Sequence, residues 1–328
     1  MIIALPQDIS AAGKDFLTSK GYELKLGDGT ANPENMAETI KGTDALLLRL
    51  GSISEKMLED APDLKVIGRH GVGYDNCPVD FCKEHNIPIL ITPFATTCAV
   101  AEHVIMFALA SVRELVWKDK ATRAGEWAAF RGTPKSYLLQ GKTMGIAGFG
   151  RIGRDVARRA HFGLDMDVVC YDPFLTKDKV PDYVKLYDNL YDMLEVSDVV
   201  TIHMPMSPAV EGLVNKEFLS HMKPTAHFIN TARGKIVNEK DLYDALVNGT
   251  IAGAAADVMA DEPFKMDNPL LSLDNFTLTP HVSTINTESL DMMGLHAAMG
   301  IHDVLSGNFP NTAKDVLYLN VGGAAGRK

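Results

Sequence analysis

The stretch "TMGIAGFGRIGRDVARRAHFG", Thr143 to Gly163, decides the fold. "KTMGIA" is a short aliphatic run, a strand, and "RDVARRAHF" has the mixed polarity of a helix packed on one side. Between them stand Gly148, Gly150 and Gly153, and each glycine has a physical reason. The first makes the tight turn, the second lets a pyrophosphate approach the backbone, and the third brings helix against strand. A helix opening at Arg151 and Ile152 offers free N–H groups and the positive end of its dipole. Asp172 follows Gly153 by 19 residues, closing the next strand "VVCYDP". There it accepts hydrogen bonds from ribose hydroxyls and repels a 2′-phosphate. The reading is a dinucleotide site with NAD, not NADP, as cofactor; the plainer alternative is a structural glycine turn.

Working outward, short aliphatic runs alternate with amphipathic helices from end to end, the pattern of parallel sheets. The first series of strands is Ile2–Leu5, Tyr22–Leu26, Ala45–Leu48, Lys65–Gly68 and Ile89–Ile91. The second is Thr143–Ala147, Asp167–Tyr171, Asp198–His203, Ala226–Asn230, Ile251–Asp257 and Asn275–Leu278. Helices such as "SAAGKDFLTSKG" and "PENMAETIKG" close on glycine. Two series imply two α/β sheets. Between them, the nearly continuous apolar stretch from Ala99 to Trp117 predicts a helix buried at a domain or subunit boundary. A last apolar helix, about Glu288 to Leu305, is placed to pack back on the first sheet and split that domain in sequence. The final "VGGAAGRK" reads as a frayed tail.

Composition narrows the classes. The chain has 328 residues, 46% hydrophobic and 23% charged, enough for two domains with a core each. Its 32 basic and 42 acidic residues leave a net charge of −10, and no basic run points to nucleic acid. "MIIALPQDIS" is too short and too soon polar for a signal peptide. No window holds the roughly 18 consecutive apolar residues of a membrane span. A cytoplasmic protein is expected. Cys77, Cys82, Cys98 and Cys170 form neither a CxxC pair nor a metal-ligand spacing, so four reduced thiols are expected. Cys98 lies near the residues read below as the active site, where its modification would inhibit without its being catalytic.

Ligands of open α/β sheets sit beyond the carboxyl ends of the strands. "AHFINTARGKIVNEKDL" leaves its strand and delivers Arg233, "AAADVMADEPF" delivers Glu262, and "FTLTPHVSTINTE" ends in His281. A guanidinium can hold a carboxylate through two parallel hydrogen bonds. A His bonded to a Glu can protonate the adjacent carbonyl as hydride arrives, or deprotonate the alcohol in reverse. The set points to reversible oxidation of a 2-hydroxy acid. Taken singly, Arg233 reads equally as a helix cap or a partner of Asp198, Glu262 as a solvated loop acid, and His281 as a loop histidine.

Here the sequence resembles the D-isomer-specific 2-hydroxyacid dehydrogenase family, through "GRHGVGYDN", "AVAEH", "GFGRIG", "HMPMSPAVEGLVN", "NTARGKIVNEKDL", "DVMADEP" and "TPHVST", over about residues 45 to 305. The resemblance implies a fold of two doubly wound parallel-sheet α/β domains. A Rossmann NAD-binding domain, residues 99–288, is inserted in a flavodoxin-like substrate-binding domain, residues 1–98 plus 289–328. It also implies a homodimer acting on a small 2-oxo or 2-hydroxy acid. Carried across residue by residue, it makes Arg233 the ligand of the substrate carboxylate, His281 the general acid/base and Glu262 the residue that orients it. Val72 and Gly73 would give backbone N–H groups to the same carboxylate. Asp257 would meet the nicotinamide amide, and His203, Pro205, Thr231 and Ala232 would line the cofactor.

Some features depart from the family pattern or narrow it. His70 stands where many members carry a small residue, and Leu50 follows Arg49 where Ser is common. The family's formate dehydrogenases carry Gln where Glu262 stands, which speaks against formate. The chain stops soon after its last helix, which speaks against a feedback-regulated enzyme of the longer type. Arg49 and Arg69, each at a strand end, are read as further substrate ligands for a second anionic or polar group, such as a phosphate. The alternative is pairing with Asp44, Asp63 or Asp75. Together with Leu50 and His70 they suggest a compact polar 2-oxo acid. Two rival classes are an NAD-sensing corepressor-like binding protein without physiological turnover, and a hydrolase, for which no activated nucleophile or metal cluster is visible.

Overall fold

The structure is a computed structural model describing residues 1–127, 136–308 and 317–319, so the "VGGAAGRK" tail lies outside the described residues. The chain divides into two compact units, Met1–Thr97 with Thr284–Lys328, and Cys98–Ser283. The first unit opens with β1 (Ile2–Leu5), α1 (Ala11–Ser19), β2 (Glu23–Leu26), α2 (Pro33–Ile40), β3 (Ala45–Leu48), α3 (Glu55–Glu59), β4 (Val66–Arg69), α4 (Val79–Glu84) and β5 (Ile89–Ile91). α5 (Pro93–Val112) leads into the second unit and is followed by α6 (Leu115–Arg123), β6 (Thr143–Ala147), α7 (Arg151–Leu164) and β7 (Asp167–Tyr171). Then come β8 (Val184–Tyr187), α8 (Leu190–Val196), β9 (Val199–Ile202), α9 (Lys216–Ser220), β10 (His227–Asn230), α10 (Glu239–Val247), β11 (Gly253–Ala256) and β12 (Phe276–Leu278). The chain returns to the first unit with α11 (Thr287–Leu305) and β13 (Leu317–Leu319).

The first unit's sheet has the order β13-β5-β4-β3-β1-β2, parallel except for the antiparallel edge strand β13. Alternate residues of each strand face opposite sides: Ala4, Leu46, Leu48, Ile67 and Ile89 enter one core, while Ile3, Leu5, Leu47, Val66 and Leu90 enter the other. Burial on both faces is why these strands read as continuous aliphatic runs rather than as alternating ones. α11 covers the second face through Ala297, Ala298 and Ile301. Its approach depends on Gly68, where a Cβ would stand 2.8 Å from Ile301 Cδ1.

The second unit's sheet has the order β12-β11-β10-β9-β6-β7-β8 and is parallel throughout. The order reverses between β6 and β9, the point at which a doubly wound sheet opens a crevice at its carboxyl edge. Met144, Ile146, Val168 and Cys170 face one core, and Ala147, Val169, Val200 and Ile202 the other. α7 buries Gly153, Val156, Ala157 and Ala160 and leaves its arginines outward, which explains its strong two-sidedness.

Two expectations need correction. The stretch from Ala99 to Trp117 forms two helices, not one. α5 begins on Pro93, whose missing N–H is harmless in a first turn. Past Val112, Glu114 takes a left-handed conformation (φ 54°) before α6 begins. Nor is the stretch wholly buried, since Met106, Leu109, Leu115 and Val116 are exposed. α5 is also long and apolar enough to match a membrane span by length and composition, which the run-length reading missed. More than half of it is buried inside the protein, as in a core helix.

Candidate active site

The register of the second sheet assembles the site. Ala147 pairs with both Tyr171 and Ile202, so Gly148, Asp172 and His203 emerge side by side. Asn230 pairs with Ala256, and Ala256 with Leu278, so Thr231, Asp257 and Thr279 emerge together on one flank. Parallel strands in register deliver their next residues to one edge. The motifs supplied the residues, and the register makes them neighbours.

Each glycine of the turn does what its position requires. Gly148 has φ 92°, and a Cβ there would stand 2.8 Å from the His203 carbonyl carbon. Around Gly150 a Cβ would meet nothing within 4 Å, leaving bare backbone at the start of α7. A Cβ on Gly153 would stand 2.5 Å from the Gly148 oxygen, so helix and turn are in contact there. Arg151 and Ile152 occupy the first turn of α7, where N–H groups have no helical partner. Asp172 reaches back over this turn, accepting from Phe149 N (2.9 Å) and Phe174 N (3.0 Å). The acid expected for the ribose is thus already oriented by the loop it serves. Opposite, Thr231 is buried and its Oγ1 has no hydrogen-bond partner among the described residues. A buried hydroxyl without a partner costs free energy unless a ligand satisfies it. Open backbone at a helix start, an oriented acid and an orphaned hydroxyl fit a dinucleotide. His203 hydrogen-bonds Thr201 Oγ1 at 3.0 Å, and desolvation pushes its pKa down, so it lines this edge as a neutral ring, with Pro205 beyond it.

The three polar residues of the later strand ends also find their places. His281 Nδ1 lies 2.7 Å from Glu262 Oε2, while Glu262 Oε1 accepts from Met259 N at 3.1 Å. His281 has φ 54°, an uncommon backbone for a non-glycine residue. The turn is held from below: His281 N donates to Asp257 O (2.7 Å), Val282 N to Asp257 Oδ1 (2.9 Å) and Ser283 N to Asp257 Oδ2 (2.8 Å). The resemblance gave Asp257 a ligand's role; the structure adds that of anchor for the His281 turn. Arg233 follows β10 and Ala232. Its Nη1 donates to Ala232 O at 2.7 Å, and its carbonyl accepts from Asn230 Nδ2 at 2.9 Å. Asp198, the alternative partner, is engaged by Lys223 Nζ (3.0 Å) and Thr143 N (2.9 Å). Gly234 packs so tightly that a Cβ would overlap the Met259 carbonyl, which keeps the Arg233 loop against the loop carrying Glu262.

In the first unit the loop after β4 is tied down at Gly71. Gly71 N donates to Thr92 Oγ1 (3.0 Å) and Thr92 N to Gly71 O (3.0 Å), with Val72 and Gly73 beyond. Arg69 Nε donates to Gly73 O (2.7 Å), and its Nη1 to Leu48 O (2.7 Å) and Arg49 O (2.9 Å). Arg49 Nη1 donates to Asp8 O at 2.8 Å. Both guanidinium groups therefore brace strand ends, a role not visible in the sequence because backbone carbonyls carry no residue signature. His70 is buried, and its pKa is pushed down to about 4 by desolvation and by the Arg49 and Arg69 cations. Its neutral ring hydrogen-bonds the backbone of Leu290 in α11. The four cysteines are free, with Cys98 alone exposed. Among the described residues no cluster could hold a metal ion.

Residues 105–283 match the family model described as D-isomer specific 2-hydroxyacid dehydrogenase, NAD binding domain. A D-3-phosphoglycerate dehydrogenase of Archaeoglobus fulgidus is 34% identical over 94% of this chain, which spans 58% of that relative's length. A glyoxylate reductase of Pyrococcus furiosus is 37% identical over 85% of this chain and 84% of its own length. Among solved structures, a Thermus thermophilus protein superposes with a TM-score of 0.86 at 30% identity, covering 94% of this chain and 97% of that one.

Proposed function

Because this chain belongs to the D-isomer-specific 2-hydroxyacid dehydrogenase family, we propose that it interconverts a small D-2-hydroxy acid and its 2-oxo acid with NAD as hydride carrier. The observation that carries the reading is the 2.7 Å contact between His281 Nδ1 and Glu262 Oε2. A carboxylate only accepts, so Nδ1 holds its proton toward Glu262 and Nε2 faces the substrate as the proton-transferring atom. When bound, the nicotinamide supplies or takes up the hydride. In reduction His281 donates the Nε2 proton to the carbonyl oxygen, and the resulting imidazole recovers one from solvent. Glu262 keeps the ring oriented throughout. Arg233 fixes the carboxylate beside that carbonyl. Relatives named glyoxylate reductase favour a compact substrate. NADH oxidation with glyoxylate, hydroxypyruvate, phosphohydroxypyruvate and the branched 2-oxoisocaproate tests the reading. Turnover of the small acids is expected; tight NADH binding with no turnover of any of them would favour the NAD-sensing alternative.

NAD over NADP rests on Asp172. Asp172→Ala is expected to narrow the preference for NADH over NADPH, read as the ratio of the two kcat/KM values. The ratio is the right readout, because Asp172 also holds Phe149 N and its loss loosens the turn for both cofactors. An unchanged ratio would place the ribose elsewhere.

The bonds of Arg69 bear on substrate choice. As a brace of the loop containing Val72 and Gly73, it serves all 2-oxo acids alike. Arg69→Ala is expected to raise KM for glyoxylate and phosphohydroxypyruvate by the same factor, about tenfold, the worth of one charge-assisted hydrogen bond. A loss confined to phosphohydroxypyruvate would instead make Arg69 a phosphate ligand. We also propose a cytoplasmic homodimer. The exposed Met106, Leu109, Leu115 and Val116 supply an apolar surface for a second copy, and light scattering at micromolar concentration would show the doubled mass.

A further inference from the structure

His103 is a half-buried imidazole beside the site that no step above uses. It lies in α5, edge-on to Phe107 with ring centroids 4.5 Å apart. Its Nε2 is 3.0 Å from Thr279 Oγ1 but 3.7 Å from Asp257 Oδ1, so its hydrogen bond is to the threonine. Thr279 Oγ1 is in turn 2.5 Å from Asp257 Oδ1. The directions of these bonds follow from chemistry. An ionised carboxylate only accepts, so the Thr279 hydroxyl donates to Asp257 and has lone pairs alone to offer His103. His103 therefore carries its proton on Nε2 and donates. Desolvation outweighs the attraction of Asp257 and lowers the His103 pKa, in keeping with a neutral ring protonated at that nitrogen only.

The chain of donors determines what the carboxylate has left. Asp257 Oδ1 accepts from Thr279 Oγ1 and Val282 N; Oδ2 accepts from Ser283 N among the described residues. One oxygen is filled and the other is left with room for a further donor.

We propose that His103 is a positioning residue: through the Thr279 hydroxyl it locks the Asp257 side chain so that Oδ2 is presented to the carboxamide of the nicotinamide. The proposal rests on the reading that Asp257 meets that amide. It implies that His103 contributes to holding the nicotinamide half of the cofactor and nothing to the adenosine half.

The test is calorimetric titration with NADH and with ADP-ribose, which lacks the nicotinamide. In His103→Leu and in Thr279→Val, the Kd for NADH is expected to rise about 3–10-fold, the scale of one buried hydrogen bond, with ADP-ribose unchanged. The double variant is expected to be no weaker than either single one, because the two side chains form one chain. His103→Gln, which keeps an N–H within reach of the hydroxyl, is expected to recover most of the loss. If His103→Leu fails to fold, Thr279→Val and its conservative partner Thr279→Ser carry the same comparison. Equal weakening of NADH and ADP-ribose, or additive losses in the double variant, would overturn the proposal. Asp257→Asn separates the two levels. If it weakens NADH selectively while His103→Leu and Thr279→Val do not, the proposal fails alone. If it too leaves the ratio of the two affinities unchanged, the reading of Asp257 fails and takes the proposal with it.

Discussion

Replacing His281 with Ala is expected to lower kcat for 2-oxo acid reduction by about 10²–10⁴, the range a well-placed acid/base contributes, while NADH binds nearly as before. The cofactor features described above belong to the glycine turn, Asp172, His203, Thr231 and Asp257, and the His281 side chain takes part in none of them. Its contact is with Glu262. The control is His281→Asn. Asparagine tolerates the left-handed backbone that His281 adopts at φ 54°, so the turn over Asp257 survives while the proton is lost. Both variants should show the same fall in kcat. Full activity in His281→Asn would mean that the turn matters and the imidazole does not.

The second large effect is expected at Arg233. Two charge-assisted hydrogen bonds to a carboxylate contribute roughly 3–4 kcal/mol together, so Arg233→Ala should lower kcat/KM for the 2-oxo acid by about 10²–10³. Arg233→Lys keeps the charge but not the planar fork, and should recover only about tenfold of this. The bond from Nη1 to Ala232 O, 2.7 Å long, fixes the guanidinium plane, a constraint lysine cannot reproduce. Steady-state kinetics with glyoxylate and NADH measure both variants. If Arg233→Ala changes the NADH affinity instead and spares the 2-oxo acid, the assignment of this residue to the carboxylate is wrong.

Much of the second unit could be read from its residues. Thr143–Ala147 and Asp167–Tyr171 are strands with the expected bounds, because aliphatic runs between polar residues mark strands buried on both faces. Where an end was misplaced it was by a residue or two, as in Val199–Ile202 and Gly253–Ala256. Val184–Tyr187 escaped notice. It is a four-residue edge strand, "VKLY", with only Val184 buried, too short to show a period. β13 escaped for a related reason, being a three-residue antiparallel edge. The positions of Arg233, Glu262 and His281 after successive strands were legible because the aliphatic runs before them mark the strand ends. The His103–Thr279 bond was not, since it joins positions 176 apart in sequence that only the packing of α5 brings together. The bracing bonds of Arg69 were not legible either, because their acceptors are carbonyl oxygens, which every residue possesses.

The strand order β12-β11-β10-β9-β6-β7-β8 has a consequence for heredity. Asp172 follows β7, while Arg233, Glu262 and His281 follow β10, β11 and β12, so the nearest pair of strands concerned stands three strand spacings apart, about 14 Å. Substitutions at that separation without shared partners act nearly independently. The choice of nucleotide and the handling of the proton are therefore separable traits. A lineage could exchange one cofactor for the other by changes around β7 and leave the proton chemistry of the opposite flank untouched.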